Sequence, residues 1–422
     1  MAIVFNLFYL TKILHIATNI SGGAGVVNIL NKNLRENGLD SKILCLIPNK
    51  EPDPNTFSCE HNPANIMDRF LRKVGIFTRN DYKAHDKLLG KKEFNYPFSF
   101  PQSDYDLAIH PLVKEADIIH FHWISGFLDF NFFSKVNKPF VWTLHDMHPF
   151  TGGCHHSQGC NGYKTNCADC PQLMGTKSTD YARQNVDYKQ KHMYKLNMHI
   201  VALNTYMYSC SSSSILFGNY PHQIIPNSVD TDLFLSQSKE VSRKMFEMNS
   251  EKKILGFSSS YYARGKGADL LGKAMQILNP EFPDIELCYI GREYPELNAE
   301  NIKYKGRIND PSQLSHYYSA IDAMVIPSRE DNLPSVMLES FACGRPVISY
   351  KVGGLADHVI EEKTGCFAAE VTAEALAFAI KKFISTSEKY KEQDIRKYAE
   401  QEFSVKIQTE RYAKLYKEIA GS

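Results

Sequence analysis

The chain is 422 residues long, with 43% hydrophobic residues, 23% charged residues and a formal net charge of +1. This length exceeds what one ordinary hydrophobic core organises, so the sequence predicts two domains. The near-neutral charge gives no whole-molecule attraction to nucleic acid, and we expect no nucleic-acid partner. The apolar start at residues 1–10 lacks a basic leader and is too short to cross a bilayer, which favours a cytoplasmic protein.

The first half of the chain alternates apolar runs with helix-like segments. The runs are KILHIA, SKILCLIP, ADIIHFHW, KPFVWTLH and HIVALN, each bounded by polar or glycine-containing loops. A glycine-rich loop at 21–25 follows the first run, and its glycines would let the backbone approach a ligand closely. Buried strands separated by helices indicate a parallel sheet covered on both faces. We therefore assign residues 1–225 to a doubly wound, Rossmann-like domain of the α/β class.

Residues 64–95 form a basic amphipathic stretch, in which lysines and arginines are interleaved with isoleucine, leucine and phenylalanine. One interpretation is peripheral contact with the anionic inner face of the cytoplasmic membrane. The other interpretation is a solvent-exposed insertion whose apolar side chains pack on the domain. The acidic residues within the stretch favour this second interpretation, because they dilute its positive charge.

Histidines follow two of the strand candidates. His120 and His122 lie two positions apart, so alternation along a strand sends both imidazoles to one side. His145 and Asp146 close the next strand. Hydrogen-bonded histidines at strand ends are the simpler interpretation, and a binding role is the alternative.

A cysteine-rich loop at 145–171 begins with His145 and Asp146. The length of the chain and the lack of a secretion signal argue for reduced thiols. Four thiols in a short loop could hold a tetrahedral zinc ion that staples the loop, while two disulfides or free thiols are alternatives. The predicted structural zinc ligands are Cys154, Cys160, Cys167 and Cys170.

The second half of the chain repeats the pattern from a fresh start. Strand candidates are KKILGFSSS, IELCYIG, IKYKG, AMVIPS and RPVISY, with helix candidates GADLLGKAMQIL, PSQLSHYYSAI, LPSVMLESFACG and AEALAFAIKKFIS between them. We assign residues 226–401 to a second Rossmann-like domain and 402–422 to an amphipathic helix that packs back on the first. Two such domains facing each other would bind ligands in a cleft at the carboxyl ends of their strands.

A loop with two cations, Arg264 and Lys266, follows the first strand of the second half. Together with Gly267 it suits a diphosphate leaving group, whose developing charge fixed cations stabilise. Such cations could take the place of a divalent metal, so no catalytic cofactor is expected. The alternative is a solvent-exposed basic turn.

The segment from Pro327 to Glu339 places two carboxylates around the start of a helix. Pro334 is expected as the first helical residue, and the free N–H groups there suit a diphosphate. Asp331 in the loop and Glu339 in the helix could then reach a sugar hydroxyl and a ribose. Taken alone, the pattern favours an ordinary loop aspartate and a glutamate that stabilises the helix dipole.

This segment resembles the E-x7-E signature of the family-4 retaining glycosyltransferases, written here as Asp331-x7-Glu339. The following SFACGRPVI is similar to the continuation of that signature, and the K-G at 266–267 and the G-G at 353–354 match further family elements. The block at 145–171 resembles a cysteine-rich element of glycosyltransferases of the colanic-acid and O-antigen type.

The resemblance implies a GT-B fold, in which two Rossmann-like domains face each other across a cleft. It implies transfer of a hexose from a UDP- or GDP-sugar to a glycan or polyprenyl-diphosphate-linked acceptor in surface polysaccharide synthesis. Retention of the anomeric configuration would follow from front-face substitution, with a leaving phosphate oxygen accepting the acceptor's proton. The implied catalytic residues are Asp331, Glu339 and His122. The implied donor-binding residues are Arg264, Lys266, Gly267, Asn332, Leu333, Pro334, Ser335, Gly22, Gly23 and Arg307.

The sequence departs from the family pattern at three places. Asp331 replaces the first glutamate, Tyr261 stands where an arginine is usual, and His148 replaces a tryptophan of the cysteine-rich element. The first departure shortens a side chain and leaves the contacted sugar hydroxyls open, and Arg264 could stand in for the missing arginine. Rival functions are a sugar-nucleotide epimerase or hydrolase on the same fold, or a non-catalytic, zinc-stapled scaffold.

Overall fold

The computed structural model describes residues 11–20, 25–49, 53–59, 97–103, 105–173, 181–259 and 264–421. The predicted Gly22 and Gly23 and the predicted membrane-contact stretch 64–95 lie outside these ranges. The chain divides into two compact units. The first comprises residues 1–202, 207–225 and 409–422, and the second comprises residues 203–206 and 226–408. Across the described ranges, no helix combines the length and the apolar character that crossing a bilayer demands.

The first unit is built on a seven-stranded parallel sheet with the order β3-β2-β1-β4-β5-β6-β7. Its strands are β1 (Lys12–Asn19), β2 (Asp40–Ile47), β3 (Thr56–Ser58), β4 (Ile118–Phe121), β5 (Phe140–Leu144), β6 (Met198–Ala202) and β7 (His222–Ile224). The helices between them are α1 (Val26–Glu36), α2 (Pro111–Glu115), α3 (Tyr181–His192) and α4 (Thr205–Ser212).

The second unit is built on a six-stranded parallel sheet with the order β10-β9-β8-β11-β12-β13. Its strands are β8 (Lys253–Ser259), β9 (Ile285–Gly291), β10 (Ile302–Tyr304), β11 (Ala323–Ile326), β12 (Val347–Tyr350) and β13 (Gly365–Ala368). The helices are α5 (Lys239–Met245), α6 (Ala268–Leu278), α7 (Pro311–Ala320), α8 (Ser335–Ala342), α9 (Leu355–His358), α10 (Ala373–Ser385) and α11 (Glu392–Phe403). The last helix, α12 (Val405–Ala420), ends in the first unit.

Helices cover both faces of each sheet, because successive residues of the strands point to opposite faces and most of them are apolar. In the second unit, Leu255 and Val325 belong to one buried cluster, which includes residues of α6 and α10. Ile254 and Met324, one position away, belong to a second cluster, which includes residues of α7, α8 and α11. Burying each such side chain contributes about 1.5–3 kcal/mol, and a strand that is apolar on both faces must be covered twice.

In each sheet the strand order reverses at one point, between β1 and β4 in the first unit and between β8 and β11 in the second. The loops that follow these neighbouring strands diverge to opposite faces and leave a crevice at the carboxyl edge, where open α/β sheets bind ligands. The predicted cation loop follows β8 and the predicted carboxylate loop follows β11. The fold places them side by side.

The structure confirms the predicted fold class of two doubly wound, Rossmann-like α/β domains. All ten strand candidates form strands, but β3, β7 and β13 were not predicted. These three strands have only three or four residues each and lie at the edges of their sheets. The expected position of Pro334 was one residue too far into the helix. It is the N-cap of α8, with ψ at 125°, and the helix begins at Ser335.

Candidate active site

The cation loop approaches the carboxylate loop so closely that only glycine fits at position 267. Gly267 has a φ of +74°, and a Cβ built on it would lie 1.9 Å from the carbonyl oxygen of Pro327. This φ is costly for any residue with a side chain, and the approach leaves no room for one. The predicted K-G pair thus has a physical basis in the packing of two backbone segments.

Arg329, which the sequence analysis did not single out, ties the two loops together. Its backbone N–H donates to the Gly265 carbonyl at 2.8 Å, and its guanidinium donates to the Arg264 carbonyl at 2.7 Å. The same guanidinium forms a two-pronged ion pair with Asp269 at 2.8 and 2.7 Å. Burial alone would raise the pKa of Asp269, but the hydrogen bond and the charge of Arg329 outweigh burial and lower it. The carboxylate therefore stays ionised and holds the loops at neutral pH.

Lys266 and Asp331 form an ion pair between the two loops. The Lys266 ammonium lies 2.8 Å from Oδ2 of Asp331, and the Ser328 hydroxyl donates to the same oxygen at 3.0 Å. The Lys266 and Asp331 side chains are 24% and 11% exposed, respectively, so the pair is shielded from solvent yet reachable. The sequence placed these residues in separate motifs, and the structure brings them into direct contact.

Glu339 lies on α8, and its carboxylate is held by a buried tyrosine. The hydroxyl of Tyr318, on α7, donates to Oε2 of Glu339 at 2.5 Å. Burial raises the pKa of Glu339, and hydrogen bonds from Tyr318 and Ser335 partly offset this rise. The sequence does not indicate Tyr318 as a site residue. A tyrosine in an amphipathic helix is typical of a core position, and its partner Glu339 is 21 positions away.

The backbone after Asp331 is held by an asparagine and two glycines. The Asn204 amide donates to the backbone carbonyl of Asn332 at 2.8 Å and to its side-chain oxygen at 2.6 Å. A Cβ on Gly353 would lie 1.6 Å from the Asp331 carbonyl oxygen, and one on Gly354 would lie 2.6 Å from that of Asn332. The G-G at 353–354 therefore lets a second loop pack directly on the carboxylate loop.

The remaining predicted donor-binding residues of the second unit differ in exposure. Arg264 and Ser335 are exposed at the cation loop and the start of α8, whereas Leu333 and Pro334 are buried. Arg307 is exposed on the loop after β10, two strands away from β8 in the sheet. No side chain caps the start of α8 at Pro334, which leaves that helix end suited to an anion.

In the first unit, His122 belongs to a buried chain of hydrogen bonds. The Ser41 hydroxyl donates to Asn31 at 2.7 Å, so it accepts from Nε2 of His15 at 3.1 Å. Nδ1 of His15 then accepts from Nε2 of His122 at 2.9 Å, and Nδ1 of His122 accepts from Nε2 of His145 at 3.2 Å. This polarity fixes both buried rings in the Nε2-protonated tautomer. Burial lowers the pKa of His15 to about 3 and that of His145 to about 4, so these rings are neutral at pH 7.

His120 lies beside His122, with ring centroids 4.1 Å apart, as strand alternation predicted. Its two nitrogens contact the Tyr416 hydroxyl at 2.6 Å and the Thr143 hydroxyl at 2.7 Å. Both partners are buried, and Tyr416 belongs to α12. His120 is therefore a core histidine, as the simpler interpretation has it.

The four clustered cysteines line a single pocket in the first unit. All ten cysteines of the chain are free thiols, and none is paired in a disulfide. Cys167 and Cys170 are buried, while Cys154 and Cys160 are partly exposed.

Comparison with known proteins agrees with the geometry of the second unit. Residues 238–402 match the family described as "Glycosyl transferases group 1". This segment contains the cation loop, the carboxylate loop and α8. Over 251 residues the chain is 30% identical to the "Putative colanic acid biosynthesis glycosyl transferase WcaC" of Escherichia coli (strain K12), a match that covers 57% of this chain and 60% of that protein. The chain thus spans less than two thirds of this relative.

Solved structures resemble the whole described chain in fold. Sucrose-phosphate synthase from Thermosynechococcus elongatus has a TM-score of 0.67 at 18% identity, covering 98% of this chain and 100% of that one. Anabaena Alr3699/HepE in complex with UDP has a TM-score of 0.61 at 16% identity, covering 97% of this chain and 100% of that one. These likenesses show a GT-B fold of two parallel-sheet, Rossmann-like domains.

Proposed function

We propose that the protein is a retaining glycosyltransferase that transfers a hexose from a UDP- or GDP-sugar to a glycan acceptor. The observation that carries this proposal is the Lys266–Asp331 ion pair at the strand-order reversal of the second sheet, next to the uncapped start of α8. A cation, a carboxylate and a helix N-terminus in one crevice provide for both the diphosphate and the sugar of such a donor. The match of residues 238–402 to glycosyl transferases group 1 supports the same conclusion.

Lys266 can bind a diphosphate through its positive charge. Its ammonium group carries three N–H donors and donates to Asp331. A contact between this ammonium and a phosphate oxygen would strengthen during transfer, because charge develops on the leaving diphosphate. Arg264, which is exposed on the same loop, adds a second cation.

The carboxylates then act on the hydroxyl groups of the donor. Asp331, which Lys266 and Ser328 hold at the carboxyl edge of the sheet, can accept from a sugar hydroxyl. Glu339 is held by Tyr318 so that its second oxygen can accept from the ribose. Contact between His122 and the donor sugar, as the family resemblance implies, stays a prediction.

We further propose that the acceptor is a lipid-linked oligosaccharide used in surface polysaccharide synthesis. The name of the Escherichia coli relative, which refers to colanic acid biosynthesis, supports this assignment. The basic amphipathic sequence at 64–95 would suit a protein that works at the inner membrane face.

The test is a transfer assay with a panel of UDP- and GDP-hexoses and lipid-linked glycan acceptors. We expect one donor to give product, with the anomeric configuration retained by NMR. Glu339→Ala should abolish transfer while leaving the thermal unfolding midpoint close to that of the wild type. Glu388→Ala, which removes an exposed glutamate, is the matched control and should transfer normally.

Other outcomes identify the rival functions. Release of free sugar or an epimerised nucleotide sugar without any acceptor would indicate a hydrolase or an epimerase. Failure of every nucleotide sugar to bind in calorimetry would leave only a scaffold. Normal transfer by Glu339→Ala would remove the assignment of this carboxylate.

A further inference from the structure

We propose that Cys154, Cys160, Cys167 and Cys170 form a structural zinc site that holds together the loop following β5. This site is separate from the donor site, and neither its presence nor its absence bears on the transfer reaction proposed above.

The loop that carries these cysteines has little regular structure to stabilise it. Between His145 and Leu173, all of which the structure describes, the only helical elements are the single turns His148–Phe150 and Gly162–Lys164. The only strand contact is an isolated bridge between Phe98 and Cys154. Phe150, Tyr163 and Leu173 anchor the loop in the core of the first unit. A bound metal would add a second source of order between these anchors, as it does in small irregular segments.

Tight turns bring the four sulfurs to one pocket. Gln158, Cys167 and Asp169 all have positive φ values, of 49°, 55° and 54°, which are uncommon outside glycine. Cys167 and Asp169 are two positions apart within or next to the C-x-x-C pair, and both cysteines of this pair line the same pocket as Cys154 and Cys160. Gly162 packs against this arrangement, since a Cβ there would lie 3.3 Å from Cα of Cys167 and 3.4 Å from Sγ of Cys160.

Backbone N–H groups donate to two of the four sulfurs. The amide of Gly152 donates to Sγ of Cys167 at 3.2 Å, and that of Gly162 donates to Sγ of Cys160 at 3.3 Å. Donors aimed at sulfur stabilise the thiolate that a metal requires and orient it.

A buried lysine supplies charge of the right sign next to the pocket. The Lys189 side chain is fully buried, and its ammonium donates to the carbonyls of His148 and Thr151, at the start of the loop. Burial lowers the pKa of Lys189 to about 7, and thiolates at Cys167 and Cys154 would raise this pKa and keep the ammonium charged. Four thiolates around Zn²⁺ carry two net negative charges, and a buried ammonium offsets one of them.

The buried histidines of the first unit are a less suitable metal site than the cysteines. Among the described residues, the one group of three ligand atoms that all lie within 4.8 Å of one another is His15, His120 and His122. All six of their ring nitrogens already contact protein partners, which leaves no lone pair for an ion. The cysteine sulfurs are spaced more widely than this, so a zinc ion would draw them inward to bonds of about 2.3 Å by rotation of short side chains.

The test begins with the metal content of the purified full-length protein. We expect about one zinc and no iron per chain, and reconstitution of the metal-depleted protein with Co²⁺ should give the visible and near-ultraviolet bands of a tetrahedral tetrathiolate. Cys170→Ser should lower the zinc content to well below one per chain. Cys59→Ser removes a partly exposed cysteine outside the pocket and should leave the zinc content unchanged.

The outcome does not depend on the variants folding, because the wild-type metal content and the thiol state are measured directly. A metal-free protein with four alkylatable thiols, or one with two disulfides by mass spectrometry, would overturn the proposal. An iron–sulfur chromophore or cobalt spectra typical of nitrogen and oxygen ligands would overturn it equally.

Discussion

Tyr318→Phe isolates the hydrogen bond that holds Glu339. The substitution removes one hydroxyl from a fully buried ring and leaves the ring volume in place, so no cavity forms. A buried hydrogen bond to a charged group contributes about 1.5–3 kcal/mol, and the 2.5 Å contact is a short one. We expect the free energy of unfolding to fall by an amount in this range at neutral pH.

The pH dependence of this loss distinguishes a charged partner from a neutral one. Burial raises the pKa of Glu339 above its ordinary value of 4.5, so ionisation is less favourable in the folded state. Stability therefore falls as the pH rises from that ordinary value to the raised pKa and is level above it. The Tyr318 hydroxyl opposes this effect, and its removal raises the pKa further. The difference between variant and wild type should therefore be small in acid, where Glu339 is protonated, and reach its full size above the raised pKa.

The assay is chemical denaturation of both proteins from about pH 4 to about pH 8. Tyr317→Phe is the matched control, because that neighbouring buried hydroxyl bonds to the backbone of Phe257 and Cys288. Within the described part of the chain it bonds to no titratable side chain. Its loss of stability should not vary with pH over this range. If the Tyr318→Phe difference is equally flat, the phenol does not stabilise the ionised carboxylate and the reasoning fails.

Two further substitutions test the loops around the site. Lys266→Ala should weaken binding of UDP or GDP by about 10- to 100-fold in calorimetry, because a charge-assisted contact is lost. The control Lys273→Ala removes an exposed lysine of α6 and should bind normally. Equal affinities of the two variants would exclude a role of the Lys266 charge in binding. Gly267→Ala should destabilise the protein more than Gly306→Ala. Both glycines have a positive φ, which costs about 1–2 kcal/mol with a side chain, but only position 267 would also clash with a backbone carbonyl. Equal losses in thermal unfolding would show that the loops separate freely.

Several features of the site depend on contacts that no local pattern contains. Arg329 and Asp269 are 60 positions apart, and Lys266 and Asp331 are 65 positions apart. Arg329 alone is compatible with an exposed loop and Tyr318 with a core position of a helix, so neither residue indicates a site by itself. Pairing becomes visible only when β8 and β11 lie side by side.

The sequence by itself determined the two-unit α/β architecture, because continuous apolar runs separated by amphipathic helices can be buried only in parallel sheets covered on both faces. It also determined which loops carry cations, carboxylates and thiols. The tertiary structure decided which of these groups meet, because the order of strands in each sheet sets which loops are neighbours. It also placed His120 in the core and His122 in a buried chain of hydrogen bonds. Burial and the direction of these hydrogen bonds depend on packing between segments that are distant in the sequence.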